Sequence, residues 1–201
     1  MNGIEKACFL IWKMIQLTLI FHLLSLAGLI MFGMGPAWQT IVTLFLETSQ
    51  EEKHYSLRRA FHLWKSSFKQ ANISFWLFGV SLAFLSTNLH WAVQFQSLFW
   101  FIISFLILIA MIWLSMTYCY MTFYEVIYAI RLWENIKLAF ISVFLSFKDF
   151  LLMFAVLLGT ALVTWQYKGL FLFLSFGALV FLLDLVTRSN RQLVDGVIDD
   201  H

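Results

Sequence analysis

Residues 54–76 read HYSLRRAFHLWKSSFKQANISFW, and the rest of the chain follows from how they are read. On a helix, Leu57, Phe61, Trp64 and Phe68 recur at steps of four, three and four, which makes one apolar stripe. Arg58, Arg59, His62, Lys65, Ser66 and Lys69 fall mostly on the other side. By Ile73 the sequence is already a membrane span. A helix with rings on one face and cations on the other suits the membrane–water boundary, where the rings enter the acyl region and the cations meet anionic headgroups. A solvated helix packed on the chain's own spans is the plainer alternative. Nucleic-acid binding is the weaker rival, because the basic patch is fused to a span; no nucleic-acid partner is expected.

The composition agrees with a membrane protein. Hydrophobic residues make up 62% of the 201 and charged residues 12%. A soluble domain averages about half apolar and a quarter charged, so the surplus here faces lipid. Phe (23) and Trp (9) fill lipid-facing and headgroup-level positions. One proline and nine glycines leave no room for a disordered linker. Cys8 and Cys119 both sit in apolar runs and read as small buried hydrophobes rather than a disulfide or metal site.

The expected architecture is an all-α polytopic bundle of about five spans plus amphipathic boundary helices. The first span is Met14 to Met34, a retained span rather than a cleaved signal because it is long and no A-x-A-like site closes it. Gly35-Pro36 is the expected helix break. Ala37 to Leu46 is too short to cross the hydrocarbon, since ten residues cover only about half its thickness. After a polar break at 47–53 and the amphipathic stretch come spans at Ile73–Leu89, Phe95–Tyr118, Phe150–Trp165 and Leu170–Val186. A second amphipathic segment runs from Phe123 to Phe147. Residues 1–187 form one transmembrane domain, and 188–201 a polar cytoplasmic tail, partly disordered beyond Leu193.

A shift of 79 residues places Ala60, Phe61, Ser67, Phe68, Lys69 and Phe75 on Ala139, Phe140, Ser146, Phe147, Lys148 and Phe154. This reads as an internal two-fold repeat, with chance as the alternative because phenylalanine is common. Orientation follows from Lys and Arg in short loops. With five spans, all but Lys6, Lys13 and Lys168 of the 13 lie on one side. That side is expected to be cytoplasmic, with the C-terminus in and the N-terminus out. If Ala37–Leu46 instead returns as a hairpin, Lys6 and Lys13 join the cytoplasmic side as well.

Gly35-Pro36-Ala37 after a first span, a charged break, then Arg59-Ala60-Phe61 and Phe68-Lys69-Gln70-Ala71 leading into a second span resemble the YesL-like family. These are small bacterial integral membrane proteins whose domain has no assigned function. The resemblance covers roughly Ile11 to Phe78, and the later spans only by hydropathy. Ser67 stands where the family often has asparagine and Trp64 where it often has phenylalanine. The resemblance implies an accessory role beside a carbohydrate uptake system, with a sugar transporter subunit as partner.

The sequence holds no phosphate loop, no nucleophile–base pair and no metal-spaced cluster, so neither an enzyme nor a cofactor is expected. The candidate membrane-interface or partner-binding residues are Arg58, Arg59, Phe61, Trp64, Lys65, Phe68 and Lys69. His22 and Asp184 are weak intramembrane polar candidates. For His22 the plainer reading is a neutral ring bonded to a neighbouring helix, and for Asp184 a carboxylate near water or Arg188. Two functions fit: an accessory or scaffold component, or a small oligomeric transporter or channel. Nearly apolar span centres favour the first.

Overall fold

The computed structural model describes residues 3–48, 55–128 and 130–199; Lys53 and His54 lie outside them. All the regular structure among those residues is helical: α1 (Gly3–Ala27), α2 (Met34–Thr48), α3 (Leu57–Ala92), α4 (Leu98–Tyr128), α5 (Leu132–Leu145), α6 (Phe147–Gln166), α7 (Lys168–Phe173) and α8 (Ser175–Asp199). Four stretches are long and apolar enough to cross a membrane: Ala7–Ala27, Leu57–Ala92, Leu98–Tyr128 and Phe147–Gln166. They make the chain a multi-pass membrane protein. The stretch expected as a fifth span is helical but breaks at Leu174 (φ −132°), between α7 and α8.

The first reversal lies at Gly28–Gly33, not at Gly35-Pro36, which falls in the first turn of α2. Proline fits there because the first helical N–H groups have no intrahelical partner anyway. At the true turn the backbones of Gly28 and Gly33 touch, and a Cβ on either would collide with the other arm. Leu29 (φ 56°) and Ile30 (φ 63°) take left-handed conformations between them. That costs roughly 1–2 kcal/mol per residue, and the Ile30 N–H to Ser25 carbonyl bond (2.7 Å) helps hold it. α2 then returns along α1. Lys13 Nζ lies 5.8 Å from the Tyr55 ring centroid, and Glu47 pairs with Arg59 at 2.8 Å. The start of α1, the end of α2 and the start of α3 therefore share one end of the molecule. The N-terminus joins that end, in the hairpin arrangement rather than the threading that put it opposite.

α3 is one unbroken helix of 36 residues, about 54 Å at 1.5 Å per residue. The amphipathic stretch and the span expected after it are continuous. Side chains that could break the helix bond within it instead: Ser67 Oγ donates to the Leu63 carbonyl (2.9 Å) and Asn72 Nδ2 to the Phe68 carbonyl (2.9 Å). Thr87 and Asn88 do the same toward Ala83 and Phe84, so α3 runs on to Ala92 rather than ending at Leu89. It packs on α2 and α4, and Ala60, Ala71, Ser74 and Phe78 are buried along it. Lipid tails are as apolar as leucine, so this contact rests on close approach of small residues. Gly35 sits against Ala71 and Phe75, with no room for a Cβ. Phe32, in the α1–α2 turn, is 6.0 Å from Trp76. From Trp76 to the α3–α4 turn at Val93–Ser97, α3 continues for about 25 Å.

α4 descends antiparallel to α3, with Phe78 and Tyr118 5.4 Å apart. The second amphipathic segment is divided between the end of α4 and α5. α5 folds back on α4: Asn135 Nδ2 donates to the Met121 carbonyl (3.0 Å), and Trp113 meets Phe144 at 3.8 Å. α6 and α8 run antiparallel, with Thr164 and Ser175 hydroxyls 2.8 Å apart. α8 crosses α1 at Gly177, whose N–H donates to Thr18 Oγ1 (2.9 Å) and whose Cα lies flush against the Met14 backbone. Of the positions related by the 79-residue shift, Ala60 and Ala139 are both buried and Phe61 and Phe140 both half-exposed, whereas Phe68 is half-buried and Phe147 75% exposed. Cys119 is buried as expected, whereas Cys8 is exposed, because the start of α1 has few neighbours.

Candidate functional site

About 20 residues of α3 suffice to cross the hydrocarbon, which leaves its basic N-terminal end outside. Phe61 stacks on Trp64 (5.6 Å, 24°) and Trp64 meets Phe68 edge-on (4.8 Å, 69°). The three rings form a ladder up one side of the helix. Its Phe61 end faces outward, 52% exposed, as does Leu57 at 60%, while Trp64 and Phe68 are half-buried, Trp64 against the core, and the small residues Ala60, Ala71 and Ser74 are buried. Trp64 is half-buried, and its Nε1 has no hydrogen-bond partner among the described residues. Arg58, Lys65 and Lys69 are exposed beside the ladder. Arg59 is the cation already taken, by Glu47. Tyr55, just before the helix, is buried, and burial pushes its hydroxyl up to about 12.

A second set of polar groups sits inside the protein, where α4, α5, α6 and α8 meet. Asp184 has a side chain only 2% exposed, held by Arg188 (2.7 Å) and Arg191 (2.6 Å) from its own helix. Arg191 also lies over the Phe123 ring (5.8 Å). Asn190 is fully buried and donates both amide hydrogens, to Tyr120 Oη (2.7 Å) and to the Ser142 carbonyl (3.1 Å). Tyr124 Oη donates to Ser142 Oγ (2.8 Å), and Ser142 Oγ to the Leu138 carbonyl (2.9 Å). Asp149 is buried at the start of α6. These bonds lock α8 to the α4–α5 pair. The boundary expected at 187/188 therefore falls inside α8, and the tail begins as part of the core.

Of the residues singled out in the sequence, the structure brings Arg58, Arg59, Phe61, Trp64, Lys65, Phe68 and Lys69 onto one helix end. It does not bring His22 and Asp184 together. His22 Nε2–H donates to the Phe171 carbonyl (3.2 Å), left open where the chain breaks between α7 and α8. Asp184 takes Arg188, as the sequence suggested, and Arg191 besides. Asn190, Tyr120, Ser142 and Asn135 were not anticipated. One signal was available: the buried stripe Val180, Leu183, Asp184, Thr187, Asn190 keeps helical spacing straight into the supposed tail.

A family model described as "Protein of unknown function, DUF624" matches residues 14–89. No curated protein and no solved structure matches the chain. The matched segment takes in most of α1, all of α2 and α3 to Leu89, and it ends before α4. It holds the aromatic ladder and the α1–α2 turn, and leaves out the polar lock on α8.

Proposed function

We propose that the chain is a membrane-embedded accessory protein, neither enzyme nor conduit, that holds a partner through the exposed end of α3. The Phe61–Trp64–Phe68 ladder carries this reading. Its Phe61 end is exposed beside Leu57, on a helix longer than a membrane is thick. Aromatic residues framed by cations are the composition of interface anchors. In the hairpin arrangement, Lys168 alone of the 13 Lys and Arg falls on the opposite side, which supports a cytoplasmic ladder and a cytoplasmic C-terminus. The resemblance to YesL-like proteins points to a carbohydrate uptake system as the setting. A conduit needs polar groups offered to a solute at mid-membrane. Here Ser81, Thr87, Asn88 and Ser104 each donate to a carbonyl of their own helix instead.

The test is affinity purification of the full chain in mild detergent beside its Leu57→Ser/Phe61→Ser variant. The wild type is expected to bring down a sugar transporter subunit in stoichiometric amount, and the variant to lose it while eluting at the same size. The purified protein alone in liposomes is expected to move neither sugars nor protons. Saturable uptake by it would overturn the accessory reading in favour of a small oligomeric transporter.

A further inference from the structure

A groove of about 610 Å³ runs between α6, α7 and α8. Its size is that of a ligand pocket, which runs from about 300 to 1,000 Å³. One side is a stripe of α6 at helical spacing, Leu157, Ala161 and Thr164, and Phe176 and Leu179 of α8 line the other. Thr164 and Ser175 bond each other at 2.8 Å and tie the two helices together there. Lys168, at the start of α7, is the one charged residue of the lining. It is exposed, and it makes no ion pair or hydrogen bond among the described residues. Trp165 and Tyr167 beside it are 83% and 64% exposed. Exposed Trp and Tyr at the end of a membrane-length helix mark headgroup depth. Leu157 lies at the middle of α6, about 12 Å further along the helix from Trp165. The groove is therefore charged at headgroup depth and mostly apolar toward the middle of the span.

We propose that this groove binds an acidic phospholipid, with its phosphate paired to the Lys168 ammonium and one acyl chain laid between α6 and α8. The order of the groups decides the occupant. An unpaired cation at headgroup depth, continued inward by an apolar groove, complements a molecule with its anion at that depth and hydrocarbon beneath it. A free phosphate would leave the groove empty. The site is separate from the α3 ladder and stands whether or not a partner docks there.

Two photoreactive lipids test this. They share an acyl chain that carries a diazirine and differ only in headgroup, phosphatidylglycerol with a net negative charge or zwitterionic phosphatidylcholine. The full-length protein is placed in phosphatidylcholine nanodiscs doped with a trace of one or the other, and adducts are mapped by mass spectrometry after photolysis. The phosphatidylglycerol probe is expected to label Leu157 and Leu179 more heavily than the phosphatidylcholine probe. Lys168→Gln should lower that labelling about five-fold, the worth of one cation at a membrane surface, and leave the phosphatidylcholine labelling unchanged. Lys168→Arg should keep it. Ala161→Phe, which fills the groove, should lower groove labelling several-fold, and Ala161→Leu serves the same purpose if the larger side chain impairs folding. Adducts on exposed Ile102 and Leu106 of α4 should respond to none of these changes. Equal groove labelling by the two probes, or labelling indifferent to Ala161→Phe, would show annular lipid only and overturn the proposal. A phosphatidylglycerol preference that survives Lys168→Gln would overturn the pairing with Lys168. A groove that stays unlabelled in a protein eluting as a dimer would give it to a second copy instead.

Discussion

Ser67-Phe68-Lys69 and Ser146-Phe147-Lys148 carry the same three side chains, yet the backbone passes straight through the first and breaks at the second. Ser67 is an interior helical residue whose hydroxyl donates back to Leu63. Ser146 is an N-cap (φ −141°, ψ 114°) whose Oγ accepts from the Asp149 N–H at 3.3 Å. The difference lies three residues on. The second copy has an acidic residue, Asp149, in the first turn of the new helix, where it favours the positive end of the helix dipole. The first copy has Gln70 at that place. The consequences diverge from there. Continuity in α3 carries an aromatic ladder out of the membrane. The break after α5 frees α6 to turn away, and leaves α4 and α5 to close on Asn190 of α8.

This contrast can be broken most forcefully at the lock between α8 and the α4–α5 pair. Arg191→Ala leaves Asp184 buried with the half-exposed Arg188 as its remaining guanidinium partner, and should destabilise the protein by about 3 kcal/mol or more. Heating in detergent while following thiol labelling of the buried Cys119, in a Cys8→Ser background, reads that loss as an earlier onset of reactivity. Arg188→Ala, at the exposed end of the same cluster, should cost under about 1 kcal/mol.

The two serines give the sharper, smaller test. Ser146→Ala removes a cap and should cost about 1 kcal/mol, whereas Ser67→Ala removes an interior back-bond and should stay within about 0.5 kcal/mol of wild type. Equal losses in the same labelling assay would mean that the cap does not distinguish the two copies. Smallest of all is the pair that ties the end of α2 to the start of α3. Glu47→Gln should leave the midpoint where it is, since Glu47 and Arg59 are both exposed.

The helical class and the apolar spans were legible in the sequence because periodicity and hydropathy report them directly. Three things were not. The reversal at Gly28–Gly33 is hidden because Leu29 and Ile30 are apolar and carry no turn signature; only the spacing of two glycines marks it. Proline at 36 drew the break to itself, although a proline near a helix start is compatible with the helix. The role of Asn190 was missed because the polar residues around it gave the segment the composition of a tail, while its burial depends on a partner 70 residues away, Tyr120. The Ala60–Ala71–Ser74 contact face was likewise overshadowed by the larger aromatic side chains, although it is small residues that let helices approach within lipid.

Membrane insertion of such a chain demands little of the machinery that performs it. The α1–α2 turn, Ala27 to Met34, is entirely apolar, and it stops about 25 Å short of the α3–α4 turn along α3. This hairpin enters and leaves by the same face, so none of its polar flanks has to cross. Within α1–α4 the segment that must travel furthest is Val93-Gln-Phe-Gln-Ser97. It holds no charge, whereas each Asp, Lys or Arg at the centre of a membrane helix carries an insertion cost of about 2.5–3.5 kcal/mol. In the orientation proposed above, with the ladder cytoplasmic, the first four helices can be delivered as two hairpins, each driven in tip first, with their charged residues left on the side where synthesis began.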